Sequence, residues 1–216
     1  MDLQGLFFDF DGVLIDSTAV KIEGFRELFE HVSDSELANI LEYHRMHGGI
    51  SRVEKIKYAY REVLQQPLDT KDLQRLAQKY SDLVMEKVVG CSPVNGALEL
   101  LEQFYNRCEI FLISGTPEEE LREIVSRRKM TKYFREILGS PVRKPIHVNE
   151  LLAKYSLNPQ GCVFIGDALT DFDAARQTRL NFIGIQRDVS FPTGTITVLD
   201  CTGVADVLAR NYRWTK

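Results

Sequence analysis

Four short apolar runs punctuate the chain: residues 3 to 9, ending in Asp9, then CEIFLIS (108 to 114), CVFIG (162 to 166) and NFIGI (181 to 185). Each is continuous rather than alternating, the pattern of a strand buried on both faces of a parallel sheet. Helical periodicity occupies the intervals at 95 to 104, 117 to 128, 147 to 155 and 170 to 178. Strand and helix in turn predict an α/β domain with a mostly parallel sheet. A weaker strand near 195 to 199 and a last helix near 203 to 211 complete it.

Between the first run and the rest, residues 17 to 88 carry no strand pattern. Phe25, Leu28, Phe29 and Val32 repeat at helical spacing, as do Val53, Ile56, Tyr60, Val63 and Leu64, then Leu73, Leu76, Ala77, Tyr80, Leu83 and Val84. Ser33 with Glu36, and Ser51 with Glu54, read as capping boxes. The chain therefore divides into a core from 1 to 16 and 90 to 216, and a helical insertion from 17 to 89 with hinges near Asp16 to Thr18 and Gly90 to Pro93.

Composition narrows the classes. At 216 residues, 44% hydrophobic and 27% charged, the chain is globular in type. A net charge of -4 supplies no field for nucleic acid or anionic membrane, so neither is expected as a partner. Four scattered cysteines form no CxxC pair, which fits a reducing compartment. The acidic start and the absence of a run near ~20 apolar residues predict a cytoplasmic protein without an anchor. We expect a monomer or weak dimer.

Polar residues gather where the strands of a parallel sheet end, the crevice in which such sheets bind ligands. They are Asp9 and Asp11 after the first run, Ser114, Gly115 and Thr116 after the second, Lys144 before a helix, and Asp167 with Asp171 after the third. Residues i and i+2 of an extended segment point to one side, so Asp9 and Asp11 can share a small space. Carboxylates meeting there repel unless a cation balances them, and oxygen ligands of this kind suit Mg²⁺. The structural alternatives are turn formation at Asp9 and Asp11 with Gly12, a solvated Lys144, and a helix-capping Asp171. Thr116 followed by Pro117 reads as a helix start, Thr116 being the cap.

The set FFDFDGVL, FLISGT, RKP and FIGDALTDFDAA, in that order, resembles the four motifs of the haloacid dehalogenase-like (HAD) hydrolase superfamily, and the helical insertion resembles its C1-type cap. The resemblance implies a Rossmann-like HAD core with an inserted α-helical cap. It implies that Asp9 is the nucleophile forming an aspartyl phosphate and Asp11 the general acid and base. It further implies that Mg²⁺ is held by Asp9, the Asp11 carbonyl and Asp167, with Asp171 positioning a metal-bound water or Lys144. Ser114, the Gly115 amide and Lys144 would bind the phosphoryl oxygens.

The segment YHRMHGGISR (43 to 52) looks like the substrate-specificity loop of the branch that includes β-phosphoglucomutase and phosphoglycolate phosphatase. Gly49 and Arg52 then become substrate-binding candidates, although Arg52 reads equally well as a first-turn surface residue behind a capping Ser51. For His44 and His47 an ordinary loop or surface role is favoured. Lys21 stands where mutase relatives tend to have a histidine, which disfavours a mutase. The reading is a Mg²⁺-dependent phosphatase acting on a small phosphorylated metabolite, of the sugar phosphate or phosphoglycolate type. The alternatives are a phosphomutase using the same intermediate and a catalytically silent HAD-like binding module.

Overall fold

In the computed structural model, which describes residues 2–213, six strands form one sheet in the order β3-β2-β1-β4-β5-β6. They are β1 (Gly5–Phe8), β2 (Glu109–Pro117), β3 (Glu136–Ser140), β4 (Cys162–Gly166), β5 (Asn181–Ile185) and β6 (Ile196–Val198). All neighbours pair in parallel, so each needs a crossover, and helices supply all but the one between β5 and β6, which is a loop. The core helices are α5 (Ala97–Phe104), α6 (Glu118–Arg127), α7 (Lys144–Lys154), α8 (Leu169–Thr178) and, after the last strand, α9 (Cys201–Asn211), preceded in the chain by α1 (Thr18–Leu28), α2 (Asp34–Met46), α3 (Arg52–Tyr58) and α4 (Thr70–Gly90).

The central strand explains its own composition. Leu6 and Phe8 enter the larger core, while Phe7 enters a second core on the opposite face with Phe111, Ile113 and Phe164. The Phe7 ring lies 4.9 Å from that of Phe111 and 6.4 Å from that of Phe164. Burying apolar side chains on both faces fixes the strand, and with it the direction of whatever follows Phe8. The Asp9 amide continues the ladder, donating to the Ile165 carbonyl at 3.0 Å.

Helices α1 to α4 form the inserted cap, and its two connections run side by side. The Asp16 amide donates to the Ser92 carbonyl at 3.0 Å and the Val94 amide to the Leu14 carbonyl at 3.1 Å. The cap's inner packing centres on Phe25, whose ring lies 4.7 Å from Tyr80 and 4.3 Å from His44. Helix α3 passes into a π-helical turn over Ala59–Val63 before α4 begins. The Ser33 capping box forms in full. Ser51 accepts only the Glu54 amide, at 3.4 Å, because the Glu54 carboxylate turns to Lys57 at 2.9 Å.

Two expectations need correction. Strand β3 carried no sequence prediction, having only Ile137 and Leu138 as large apolar residues between Glu136 and Gly139. Thr116 does not cap α6: β2 continues through Pro117, and the helix starts at Glu118. All four cysteines are free. Among the described residues no helix is long and apolar enough to cross a membrane.

Candidate active site

Strand ends and cap together enclose a cavity of about 100 Å³ lined by Asp9, Asp11, Ser114, Gly115 and Asp167 from the core and by Lys21, His44, Gly49, Arg52 and Lys55 from the cap. Asp9 and Asp167 of its wall belong to a cluster of carboxylates around one lysine. Lys144, the first residue of α7, places Nζ 2.9 Å from Asp9 Oδ1 and 2.6 Å from Asp171 Oδ1. The other Asp171 oxygen accepts the Ala168 amide at 3.1 Å, so Asp171 both caps α8 and aims the lysine. The two sequence readings of Asp171 are therefore one arrangement.

Asp9, Asp167 and Asp171 each offer an oxygen within 4.8 Å of the others. Burial, with the like charges of Asp171 and Asp11, raises Asp9 above the ordinary carboxylate range against the pull of Lys144. Burial, with Asp9 and Asp171, raises Asp167 well above it. The buried Oδ1 of Asp9 has no hydrogen-bond partner of acceptable geometry. Lys144 supplies one positive charge against three acids. That imbalance is what a divalent cation with oxygen ligands corrects, so the donor set fits Mg²⁺.

Asp11 stands apart from this cluster. Ser17 donates to its Oδ1 at 2.6 Å, the Lys21 ammonium pairs with its Oδ2, and the Thr116 hydroxyl donates to Oδ2 at 3.3 Å. Burial alone would raise this carboxyl, but the charge and hydrogen bond of Lys21 and the bond from Ser17 lower it below its ordinary value. Asp9 and Asp11 line one cavity yet live in opposite electrostatic settings. Nearby, Ser114 is buried and its Oγ accepts the Thr116 amide at 3.1 Å.

Cap and core touch through bare backbone. A Cβ on Gly115 would come within 2.5 Å of the Gly49 carbonyl oxygen, and one on Gly49, at φ +76°, within 2.2 Å of the Thr170 hydroxyl. Thr170 Oγ1 in turn donates to the Gly48 carbonyl at 2.7 Å. Gly49 and Gly115 are thus required by the close approach of cap to core.

Arg52 is buried, which removes its reading as a surface residue. It lines the cavity, but Nη1 and Nη2 donate to the two carboxylate oxygens of Glu120 at 2.8 and 2.5 Å, its guanidinium lies 4.8 Å from the Tyr80 ring centre, and Ser81 accepts a further bond. Its charge is committed to the core helix α6 rather than offered to a ligand. His44 is buried in the cavity wall, whereas His47 turns away, its Nδ1 lying 3.0 Å from the Tyr43 carbonyl. Three residues the sequence reading did not assign also face the site: Thr116, Lys55 and Arg187, the last donating to the Gly12 carbonyl at 3.1 Å. Thr116 was within reach, being i+2 from Ser114 on an extended strand, and Lys55 lies i+3 from Arg52 on one helix face.

Comparison with known proteins gives a consistent picture. The family model described as haloacid dehalogenase-like hydrolase matches residues 6–185. A phosphoglycolate phosphatase of Psychrobacter arcticus is 25% identical over 98% of this chain and 98% of its own. Among solved structures, β-phosphoglucomutase from Clostridium difficile superposes with a TM-score of 0.78 at 18% identity, covering 96% of each chain. The magnesium-bound HAD-hydrolase YfnB of Bacillus subtilis does so at 0.74 and 18% identity, covering 97% of this chain and 100% of that one.

Proposed function

The chain belongs to the haloacid dehalogenase-like hydrolases, and on that premise we propose that it is a Mg²⁺-dependent phosphatase that hydrolyses a small phosphomonoester through an aspartyl phosphate on Asp9. The observation that carries the reading is the separation of two carboxylates: Asp9 among acids around Lys144, Asp11 among donors. Similarity over nearly the whole length to a phosphoglycolate phosphatase supports the reaction class.

In this reading a carboxylate oxygen of Asp9 attacks phosphorus and the bond to the leaving oxygen breaks, which splits one hard displacement into two easier ones. Lys144, Ser114 and the Gly115 amide hold the phosphoryl oxygens as charge develops on them. Mg²⁺, held by Asp9, the Asp11 carbonyl and Asp167, would offset the negative charge of acids and phosphoryl group together. Asp11 gives the leaving oxygen its proton and then takes one from the water that hydrolyses the aspartyl phosphate. Lys21 and Ser17 hold Asp11 in its ionised form, the one needed for the second step. For the first step the incoming substrate has to loosen the Lys21 contact so that Asp11 can carry a proton.

Incubation with Mg²⁺ and a panel of phosphomonoesters, scored for both phosphate release and isomeric products, tests this. Phosphate release by the wild type and its loss in Asp9→Asn is the expected result. Isomerisation without phosphate release would replace the phosphatase by a mutase. Absence of both would leave a binding module.

A further inference from the structure

Lys55, on α3, is a buried cation of the cavity wall that no carboxylate answers among the described residues. Its side chain is 6% exposed and lines the same cavity as Asp9 and Asp11. The buried Lys144 and Arg52 are paired, with Asp9 and Asp171 and with Glu120, and so is the half-buried Lys21, with Asp11. Lys55 has one histidine instead. Its Nζ donates to the His44 carbonyl at 3.2 Å and lies 3.4 Å from His44 Nδ1. An ammonium carries three donors, so one remains.

The surroundings make the charge expensive. Burial, and then the neighbouring charge of Lys21, hold Lys55 down to about 7. His44 cannot supply a countercharge, because burial and Lys55 itself keep its ring neutral, well below the ordinary range. An unpaired buried ammonium is destabilising wherever it serves only packing, and a methionine or leucine would fill the same space without that penalty. An anion arriving with a ligand would remove the penalty at the moment of binding.

We infer that Lys55 recognises a second anionic group on the substrate, carried by the part that leaves, so that the substrate class is a compact phosphomonoester bearing a carboxylate or a second phosphoryl group. The inference rests on the phosphatase reading of the site. The charges fall into place on it. Lys144 and the metal-binding acids serve the transferring phosphoryl group, and Arg52, held by Glu120, is not available to the other end. Lys55 is, and it sits in the cap wall of the cavity that Asp9 lines from the core. The cavity of about 100 Å³ restricts the bridge between the two anions to a short one.

Calorimetric binding to the Mg²⁺-loaded protein tests the inference without turnover. Phosphonoacetate and ethane-1,2-bisphosphonate carry two anionic groups, and propylphosphonate, of similar size, carries one. The wild type is expected to bind a doubly anionic ligand about 10- to 100-fold more tightly, the worth of a charge-assisted hydrogen bond. In Lys55→Met that ratio falls toward one, and in Lys55→Arg part of it returns. Whichever doubly anionic ligand shows the larger ratio identifies carboxylate or phosphoryl as the second group. Equal binding of all three ligands by the wild type overturns the inference, and this comparison needs no variant to fold. So does a preference that survives in Lys55→Met. A wild type that keeps the preference but hydrolyses no phosphomonoester would instead overturn the phosphatase reading and leave Lys55 as an anion site.

Discussion

Glu120 receives both arms of the Arg52 guanidinium, at 2.8 and 2.5 Å, and so ties helix α3 of the cap to helix α6 of the core. The Arg52 side chain is buried and that of Glu120 nearly so, 4% and 10% exposed, and Ser81 of α4 adds a bond to Glu120 at 2.7 Å. A forked pair of this kind is strong in geometry, but its net worth is set by the desolvation of both charges.

The consequence is a test by non-additivity. Removing one partner, as in Glu120→Ala, leaves a buried guanidinium unanswered and should destabilise by about 3 to 5 kcal/mol, or release the cap from the core. Hydrogen exchange along α3 reports the second outcome and denaturant unfolding the first. The double variant Arg52→Met/Glu120→Met should lose less than either single change. If the single changes simply add, the pair does not couple cap to core.

Much of this site was legible in the sequence because parallel strands deliver their C-terminal residues to one edge. Asp9, Ser114 and Asp167 each follow an apolar run, and the run alone fixes where they emerge. The pairing of Arg52 was hidden for a different reason: its partner Glu120 lies 68 residues away on another element, and no local pattern marks it. Thr116 failed because a threonine before proline is an excellent helix cap, and only the tertiary approach of Lys21 at 2.7 Å turned its hydroxyl to the site. Strand β3 is short, and only alternate residues of it are buried, so it carries neither a continuous nor a long apolar signal.

Lys144 is the single positive charge among Asp9, Asp167 and Asp171, so it and Mg²⁺ should partly substitute for each other in stability. In chelator, Lys144→Met is expected to lose about 2 to 4 kcal/mol relative to the wild type. Added Mg²⁺ should raise its melting temperature by more than it raises that of the wild type, since binding stabilises as RT ln(1 + [L]/Kd). Asp167→Asn should abolish the Mg²⁺ response. Equal Mg²⁺ shifts in all three proteins would show that the cation binds elsewhere. Activity of Lys144→Met should stay low even with saturating metal, because the lysine also contacts Asp9.

The Gly115 backbone meets Gly49 with no room for a methyl group, so Gly115→Ala must hold cap and core apart by a fraction of an ångström or more. The core itself need not change. We expect unfolding free energy to fall by less than about 1 kcal/mol while kcat/KM drops about 10- to 100-fold, the usual consequence of misplacing reacting groups. A variant with wild-type kcat/KM would show that closure to this distance is not needed for turnover.

Lys55 makes the protein without ligand pH-sensitive in a direction that can be worked out. Its folded value is about 7 against an ordinary 10.5, depressed by burial and by Lys21, and only partly opposed by Asp11, Asp167 and Asp9 below it. Below about pH 7 the group is charged in both folded and unfolded chains, and the folded state carries the full penalty. Between about 7 and 10.5 the folded chain has lost the proton that the unfolded chain retains, so this group makes stability rise with pH, by at most about 1.4 kcal/mol per unit. Above 10.5 the effect is complete. His44, the titratable group in contact with Lys55, stays neutral throughout this window and does not reverse the sign. Lys55→Met should therefore be more stable than the wild type near pH 6.5, by about 1 to 4 kcal/mol, with the advantage shrinking as pH rises toward 10. Urea unfolding of the two proteins in chelator, at intervals across that range, measures the difference directly. A stability difference that does not change with pH would mean that Lys55 is not held as a buried, unanswered charge.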